Sequence, residues 1–159
     1  MNDAAPSPTR TGFDEANVRL WLRLLGCTTL IEKRLQRGLA ERFDTTLPRF
    51  DVLAALDRSG AGMTMGELSR ALLVSNGNVT GIVKALARDG YVVLKPLATD
   101  RRVSVVTLTA PGAAHFTELV AAHHGWVDEL LGPLSPHTRE ALQADLDTLK
   151  TTLSERNPA

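Results

Sequence analysis

An aspartate followed by two arginines, at a polar bend between two short apolar stretches, is the feature of this chain with the clearest chemistry. The run is Asp100, Arg101 and Arg102. Guanidinium groups at such a tip can enter a DNA minor groove, where negative potential is concentrated. The carboxylate of Asp100 is placed to hold the forked guanidinium group of Arg102. The run predicts a DNA contact, although an ordinary solvated tip would have the same composition.

The segments on either side of this run must form the hairpin that presents it. β-branched residues dominate both segments, and Val103, Val105 and Thr107 recur with period two. Alternation of this kind is typical of a half-buried strand. We therefore expect two strands, within 91–97 and 103–109, with the basic tip between them.

Two short helices with intact start and stop signals precede the hairpin. Thr64 and Glu67 have the spacing of a capping box at the start of the first helix. Ser75 suits the N-cap of the second helix, and Gly90 suits its end in the left-handed conformation. Only a few residues separate the two helices. This is the arrangement of a helix-turn-helix, whose second helix lies in the major groove of DNA.

The second helix carries small polar residues on its predicted exposed side. Amides and hydroxyls can read base edges near the helix start, and the lysine farther along can meet a phosphate. Together with the tip, the predicted DNA-contacting residues are Ser75, Asn76, Asn78, Thr80, Lys84, Asp100, Arg101 and Arg102. Gly77 and Gly81 interrupt this helix, each costing about 1 kcal/mol in a helix interior. Tight packing or tolerated sequence drift, on the one hand, and close approach of the backbone to DNA, on the other, remain open as reasons for them.

From Leu68 to Thr109 the chain resembles the winged helix-turn-helix of MarR-type transcriptional regulators. The resemblance rests on the helix pair, its Asp89-Gly90 end, the Asp100-x-Arg102 wing and the Val106-x-Leu108-Thr109-x-x-Gly112 exit. The predicted elements also follow the order of that family. A long N-terminal helix comes first, then a helix that begins at Leu47-Pro48, the winged core and two C-terminal helices.

The resemblance implies a mainly α fold with a small β-hairpin wing, and a homodimer whose terminal helices intertwine. It further implies binding to double-stranded DNA at a pseudo-palindromic operator, usually as a repressor relieved by a small ligand. We expect a disordered tail over 1–12 and a single domain over 13–159. Within that domain, 13–47 and 110–159 are the expected dimerisation helices, and 48–109 is the expected DNA-binding lobe.

The charge distribution is compatible with a nucleic-acid partner, although the formal net charge is zero. From Met63 to Thr109 six basic residues stand against three acidic ones, whereas from Ala110 onward three basic residues face seven acidic ones. The positive charge therefore lies on the segment that would touch phosphate.

Long apolar stripes on the terminal helices predict a dimer. Residues at three- and four-residue steps form one stripe within 13–43, a second within 116–131 and a third within 142–153. One small winged core cannot cover all three stripes, so a partner subunit is the expected cover. A monomer that packs its own helices into a bundle is the alternative.

The resemblance also implies an effector pocket where the first, second and fifth helices meet. The residues expected to line it are Trp21, Arg23, Cys27, Arg49, Phe50 and His123. Several related regulators respond to aromatic carboxylates or their coenzyme A thioesters. An arginine-rich first helix suits such a ligand, although a solvated helix face would have the same composition. Arg49 can bind a carboxylate or phosphate near its helix start, or it can pair with Asp51 or another neighbour.

Cys27 allows a different reading, because some members of this family sense peroxide through a cysteine in the first helix. Here Cys27 lies in an apolar stretch, 24–30, and the chain has one tyrosine, Tyr91, in the wing. The tyrosines that surround a sensing cysteine have no counterpart. We therefore expect a buried structural cysteine, with a thiol-based redox regulator as the alternative.

No catalytic or cofactor motif accompanies these features. His124 and Asp128 are one helical turn apart, but two ligands do not make a metal site. No apolar run is long enough to cross a bilayer and no signal-peptide pattern is present, so we expect a cytoplasmic protein without membrane contact. The expectation is a ligand-responsive DNA-binding regulator, not an enzyme. A winged-helix module that binds protein instead of DNA, and a small enzyme with an unrecognised site, are the alternatives.

Overall fold

Six helices and three short strands make up the chain in the computed structural model, which describes residues 15–97, 100 and 102–156. They are α1 (Glu15–Phe43), α2 (Leu47–Ser59), β1 (Met63–Thr64), α3 (Met65–Leu72), α4 (Asn76–Arg88), β2 (Val92–Pro96), β3 (Ser104–Leu108), α5 (Ala110–Leu131) and α6 (Pro136–Arg156). The expected mainly α fold with a β-hairpin wing is confirmed. The predicted tail, 1–12, lies outside the described residues.

The caps of α3 and α4 form as the sequence predicts. Thr64 Oγ1 accepts a hydrogen bond from the Glu67 backbone NH at 3.2 Å, and Glu67 Oε2 accepts one from the Thr64 NH at 2.7 Å. Ser75 Oγ accepts a longer bond, 3.4 Å, from the Asn78 NH. Gly90 follows α4 with φ 81°, the left-handed conformation that glycine adopts without strain. Both helices of the helix-turn-helix therefore begin where local signals place them, and α4 also ends where its signal places it.

The sheet has three antiparallel strands in the order β1-β3-β2, one more than the predicted hairpin. In the hairpin Val92 lies opposite Leu108 and Leu94 opposite Val106. The additional strand β1 has two residues and pairs Met63 with Val106. Because the pairing joins positions that are distant in sequence, no local pattern indicates it.

The exit from the wing into α5 depends on close backbone packing. Thr109 caps α5 by accepting a hydrogen bond from the Gly112 NH at 3.0 Å, and its hydroxyl donates to the Gly90 carbonyl at 2.7 Å. A Cβ at Gly112 would lie 1.9 Å from the Tyr91 carbonyl oxygen. The glycine of the Leu-Thr-x-x-Gly motif is therefore required by the approach of α5 to the wing.

One hydrophobic core joins α2, α3, α4, the sheet and the first half of α5. Leu53, Leu68, Leu86, Val106 and Leu119 are fully buried in it. On α1 the buried residues lie only in the second half, at Leu35, Gly38 and Leu39. The same core thus holds both α4 and the wing.

The outer helices, α1 and α6, leave apolar surface exposed in the single chain. No residue of α6 is buried, and its four leucines at 142, 146, 149 and 153 are 38–59% exposed. The first half of α1 exposes Val18, Leu20, Trp21 and Leu22 in the same way. Across the described residues, no helix is both long and apolar enough to cross a membrane.

Candidate nucleic-acid interface and small-molecule groove

Helix α4 has a buried apolar face and an exposed polar face. Val79, Val83 and Leu86 are buried in the core. Asn76, Asn78 and Lys84 are exposed on the other side, together with Ser75 just before the helix. Hydrogen-bonding side chains therefore point away from the protein at the helix start, and a cation follows two turns later. The structure brings this part of the predicted DNA-contacting set together on one surface.

Ser75 and Thr80 have local roles in addition to the DNA contact predicted for them. The Thr80 side chain is half-buried, and its hydroxyl donates to the Asn76 carbonyl at 2.8 Å. The Ser75 oxygen is the N-cap acceptor of the helix. Both side chains stabilise the first turns of α4. Asn76, Asn78 and Lys84 are the predicted contacts of this helix without such a local role.

Packing against the described residues does not explain the two glycines of α4. A Cβ at Gly77 or Gly81 would have no heavy atom within 4 Å outside the neighbouring residues and the local helix backbone. Of the explanations that the sequence left open, tight intrachain packing is therefore wrong. Close approach of the helix to a DNA backbone remains a prediction, with tolerated sequence drift as the alternative.

The wing presents Arg102 through a fixed contact with Asp100. Arg102 donates from Nε to Asp100 Oδ1 at 3.2 Å and from Nη2 to Oδ2 at 3.3 Å, and its backbone NH also bonds Oδ1 at 3.0 Å. These bonds lower the pKa of Asp100. The Arg102 side chain is nevertheless 91% exposed. The expected arginine fork is confirmed for Arg102, whereas Arg101 lies outside the described residues.

Leu73, in the turn between α3 and α4, is a surface residue that no sequence pattern singled out. It is 92% exposed and left-handed, with φ 54° and ψ 36°. A leucine in that conformation costs about 1–2 kcal/mol relative to the right-handed region. Hydrogen bonds from the Leu73 NH to Arg70 O and from the Val74 NH to Ser69 O hold the turn. Within the described chain no contact gives this leucine a function.

Arg49 on α2 pairs with Asp89, the residue after the last turn of α4, and not with Asp51. Arg49 Nη2 donates to Asp89 Oδ2, and this hydrogen bond is the main cause of the lowered pKa of Asp89. Arg49 Nε is buried without a hydrogen-bond partner among the described residues. Asp51 instead has a raised pKa, first through burial and then through repulsion from Glu32. The sequence offered no signal for a partner 40 positions away.

Phe50 and His123 stack face to face between α2 and α5. Their ring centroids are 4.4 Å apart, and Phe116 lies 5.6 Å from Phe50 on the same helix as His123. Phe50 is only 6% exposed. Burial, followed by the neighbouring His124, lowers the pKa of His123, which favours a neutral imidazole. This junction is a packed contact that leaves little of Phe50 open to a ligand.

A groove of about 510 Å³ lies elsewhere, between α1, the end of α5 and α6. We call it the α1–α6 groove; its walls include Leu20, Arg23, Leu24, Cys27, Thr28, Ile31, Leu131, Leu134, Arg139, Leu142, Gln143 and Leu146. Cys27 is exposed, so the expectation of a buried cysteine is wrong for the single chain. The reason is that its apolar stretch of α1 faces the groove and not the core.

The six predicted effector residues therefore do not form one pocket. Arg23 and Cys27 line the α1–α6 groove, whereas Phe50 and His123 form the packed junction beside Arg49. Trp21 lines neither place and is 59% exposed. Arg139 of α6 lines the same groove as Arg23 and was not predicted, because nothing in its local pattern indicates the pairing of these two helices.

Comparisons with known proteins agree with the winged helix-turn-helix fold described above. A sequence model described as "MarR family" matches residues 43–103. The "Transcriptional activatory protein BadR" of Rhodopseudomonas palustris is 36% identical over 143 residues, which cover 83% of this chain and 79% of BadR. A crystal structure of a MarR family transcriptional regulator from Silicibacter pomeroyi superposes with a TM-score of 0.76 at 33% identity, covering 89% of this chain and 99% of that one.

Two more distant structures share the fold. Sco3205 of Streptomyces coelicolor, a MarR family regulator crystallised in complex with DNA, gives a TM-score of 0.82 at 18% identity and covers 96% of this chain and 95% of its own. Bordetella bronchiseptica BpsR gives 0.74 at 23% identity, covering 83% and 98% respectively. The DNA binding of BpsR is regulated by 6-hydroxynicotinic acid.

Proposed function

Because the chain belongs to the MarR family of winged helix-turn-helix transcriptional regulators, we propose that it binds a pseudo-palindromic operator as a homodimer and that a small acid releases it. A DNA-binding transcriptional regulator is the function of the family. The homodimer, the kind of effector and the direction of regulation are the proposed parts. One observation carries the proposal: the exposed polar face of α4 and the Asp100-held Arg102 lie on the positively charged part of the chain.

The proposed DNA contact divides into base reading and phosphate binding. Asn76 and Asn78 can hydrogen-bond base edges in the major groove, and Lys84 can neutralise a phosphate. The wing would place Arg102 in the adjacent minor groove. Arg101 joins this set on sequence grounds alone. The complex of Sco3205 with DNA supports the same use of this fold.

The uncovered apolar faces of α1 and α6 support the homodimer. A second copy would bury the exposed leucines of α6 and the exposed first half of α1. Such symmetry would also place two copies of α4 about 34 Å apart, one helical turn of DNA. A cytoplasmic location belongs to the same proposal.

The effector is proposed to be an aromatic carboxylate or its coenzyme A thioester. The regulation of BpsR by 6-hydroxynicotinic acid, an aromatic carboxylate, supports this class. Repression relieved by ligand is the proposed mode of action. The similarity to BadR, whose name describes an activator, favours activation as a second candidate. Both modes use the same DNA contact, because the sign of regulation depends on where the operator lies relative to the promoter.

Binding to the promoter fragment nearest its gene, measured over a range of salt concentrations, tests the DNA contact. Each neutralised phosphate adds about −0.9 to the slope of log K against log salt, so we expect a slope of about −4 or steeper. An effector acid should then weaken binding by about 5- to 150-fold. A slope near zero would instead support the winged-helix protein-interaction module.

A further inference from the structure

We propose that Leu73, in the turn between α3 and α4, contacts the C5-methyl group of a thymine in the major groove of the operator. Leu73 would thereby read a base feature that the hydrogen-bonding side chains of α4 do not. The inference deepens the proposed function and rests on it, because it adds a specificity-determining residue and a base identity to the same DNA contact.

The exposure and the backbone conformation of Leu73 both disfavour a leucine at this position. The residue is 92% exposed, more than any other large hydrophobic residue of the described chain, and its φ is 54°. Glycine or asparagine would adopt this left-handed conformation with less strain and would expose less apolar surface. Backbone strain that no contact in the described chain compensates points to a functional contact. We infer that this contact is with a partner outside the chain.

Hydrogen bonds fix the turn, so that the Leu73 side chain is held outward before any partner binds. The Leu73 NH donates to the Arg70 carbonyl at 3.3 Å, and the Val74 NH donates to the Ser69 carbonyl at 3.1 Å. The Ser69 hydroxyl also donates to the Val74 carbonyl. Because the backbone is already ordered in the free chain, little conformational entropy is lost when Leu73 meets a surface.

The turn belongs to the DNA-binding lobe and not to the surface proposed for the dimer. Helices α3 and α4 pack against each other, α2 and the sheet, whereas α1 packs against α2 and α5. The apolar faces that a second copy is proposed to cover lie on α1 and α6. We therefore do not expect the second copy to cover Leu73.

The surroundings of Leu73 favour DNA over a protein as the partner. Leu73 is three residues before Asn76, so their Cα atoms are at most about 11 Å apart. The major groove of B-DNA is about 12 Å wide, so an asparagine at the base edges brings the leucine into the same groove. From Leu68 to Arg88 the sequence has three basic residues and no acidic one, which suits a surface lined by phosphates.

Thymine is the base whose major-groove edge matches a leucine. Its C5-methyl group is apolar, whereas the other groups that bases present in this groove are hydrogen-bond donors and acceptors. A leucine side chain can neither donate nor accept a hydrogen bond, so the methyl group is its complementary contact. Gly77, in the first turn of α4, has open space around it, so no side chain at that position keeps the base edges away from Leu73.

Replacement of thymine by deoxyuridine tests this contact, because deoxyuridine keeps the base pairing of thymine and lacks only its methyl group. The probe is the shortest duplex from the promoter fragment that the full chain binds, with thymines replaced one symmetric pair at a time. Fluorescence anisotropy gives each Kd. For the wild type we expect one pair whose replacement weakens binding by about fifteenfold, since each buried methyl group contributes about fourfold and a dimer reads two half-sites.

Variants of Leu73 assign this thymine preference to the leucine. Leu73→Ala should bind the thymine and deoxyuridine duplexes with Kd values within about twofold of each other. Leu73→Met, which keeps an apolar side chain of similar volume, is the matched control and should retain most of the preference. Leu73→Gly should lose the preference while its urea midpoint is unchanged or higher, because glycine adopts the left-handed conformation without strain. Loss of thymine reading in a variant of undiminished stability excludes unfolding as its cause.

Three results would overturn the proposal. The wild type could be indifferent to deoxyuridine at every pair, or Leu73→Ala could keep the full preference. Leu73→Ala could also weaken binding to both duplexes equally, which would place the leucine on the sugar-phosphate backbone. Unchanged affinity of Leu73→Ala for every duplex would count equally against base reading and would favour a protein contact.

Failure of this inference and failure of the proposed function are distinguishable. If DNA binding keeps its steep salt dependence but the thymine preference does not depend on Leu73, only the base assignment fails. If the wild type binds no duplex in a salt-dependent way, the proposed function fails and this inference fails with it.

Discussion

Arg49 at the start of α2 holds Asp89 at the end of α4, so an ion pair fixes the end of the proposed recognition helix to the helix behind it. The Arg49 side chain is 20% exposed and that of Asp89 is 33% exposed, which shields the pair partly from water. Gly90 then reverses the chain into the wing. The orientation of α4 is thus set at one end by its cap and at the other by this contact.

The Arg49–Asp89 pair predicts a pH-dependent part of stability. The pKa of Asp89 is lowered in the folded chain, so its contribution is fully present above the unfolded-state pKa, about 3.9, and is lost as pH falls through the lower folded value. Asp89→Asn should lower the urea midpoint at pH 7. The gap to the wild type should close as the pH falls below about 4.

The matched control for this pair is Asp57→Asn, an exposed aspartate on α2. Urea unfolding of both variants at several pH values gives the comparison. Asp100 and Glu67 also have lowered pKa values. Both are present in the wild type and in the two variants, so their contributions to pH-dependent stability cancel in the comparison. A gap of constant size from pH 7 to pH 3 would contradict a role for the ionised Asp89.

A second prediction concerns the glycine at the start of α5. Gly112→Ala should destabilise the fold by about 2 kcal/mol or more, because its Cβ would collide with the Tyr91 carbonyl oxygen, a backbone atom. Gly125→Ala on the same helix has open space and should stabilise it by about 0.5–1 kcal/mol. Urea unfolding measures both. Equal effects of the two substitutions would show that the wing does not pack against α5 this closely.

A third prediction separates stability from DNA binding in α4. Gly81→Ala has room for its methyl group and should raise the free energy of unfolding by about 1 kcal/mol. If the helix backbone approaches DNA at this point, the same substitution should weaken operator binding. Fluorescence anisotropy with a labelled operator, beside urea unfolding, checks both directions. Unchanged operator affinity would remove DNA approach as the reason for this glycine.

A fourth prediction concerns the wing. Arg102→Ala should weaken operator binding by about tenfold or more while leaving the unfolding midpoint nearly unchanged, since the side chain is 91% exposed. Arg156→Ala, an exposed arginine in the last turn of α6, is the control and should bind DNA normally. Anisotropy titrations at fixed salt give the comparison. Wild-type affinity in Arg102→Ala would exclude this arginine from the interface.

Local signals in the sequence were sufficient for the helix-turn-helix and the wing. Capping at Thr64, the left-handed Gly90 and the period-two strands each depend on residues close together in the chain, so they can be recognised without tertiary contacts. Contacts between distant segments could not be predicted this way. Neither β1 nor the pairing of Arg49 with Asp89 has a local signal, because each joins positions about 40 residues apart.

The outer helices, α1 and α6, show a further limit of prediction from the sequence. The apolar stretch around Cys27 has the pattern of a buried helix face, and the pattern does not say which surface will cover it. In the single chain that face opens onto the α1–α6 groove, so Cys27 is exposed. For the same reason, no local pattern places Arg139 of α6 in the same groove as Arg23 of α1. Of the effector residues expected from the family resemblance, Arg23 and Cys27 consequently lie in this groove and Arg49, Phe50 and His123 lie at the α2–α5 junction, whereas Trp21 lies in neither.

Sedimentation velocity of the full chain with a fluorescent operator duplex, at two salt concentrations, tests the central claim most directly. A symmetric dimer that uses α4 and the wing predicts two chains per duplex at low salt, and free dimer with free duplex at high salt. A single chain in solution that leaves the duplex unbound at low salt would contradict it.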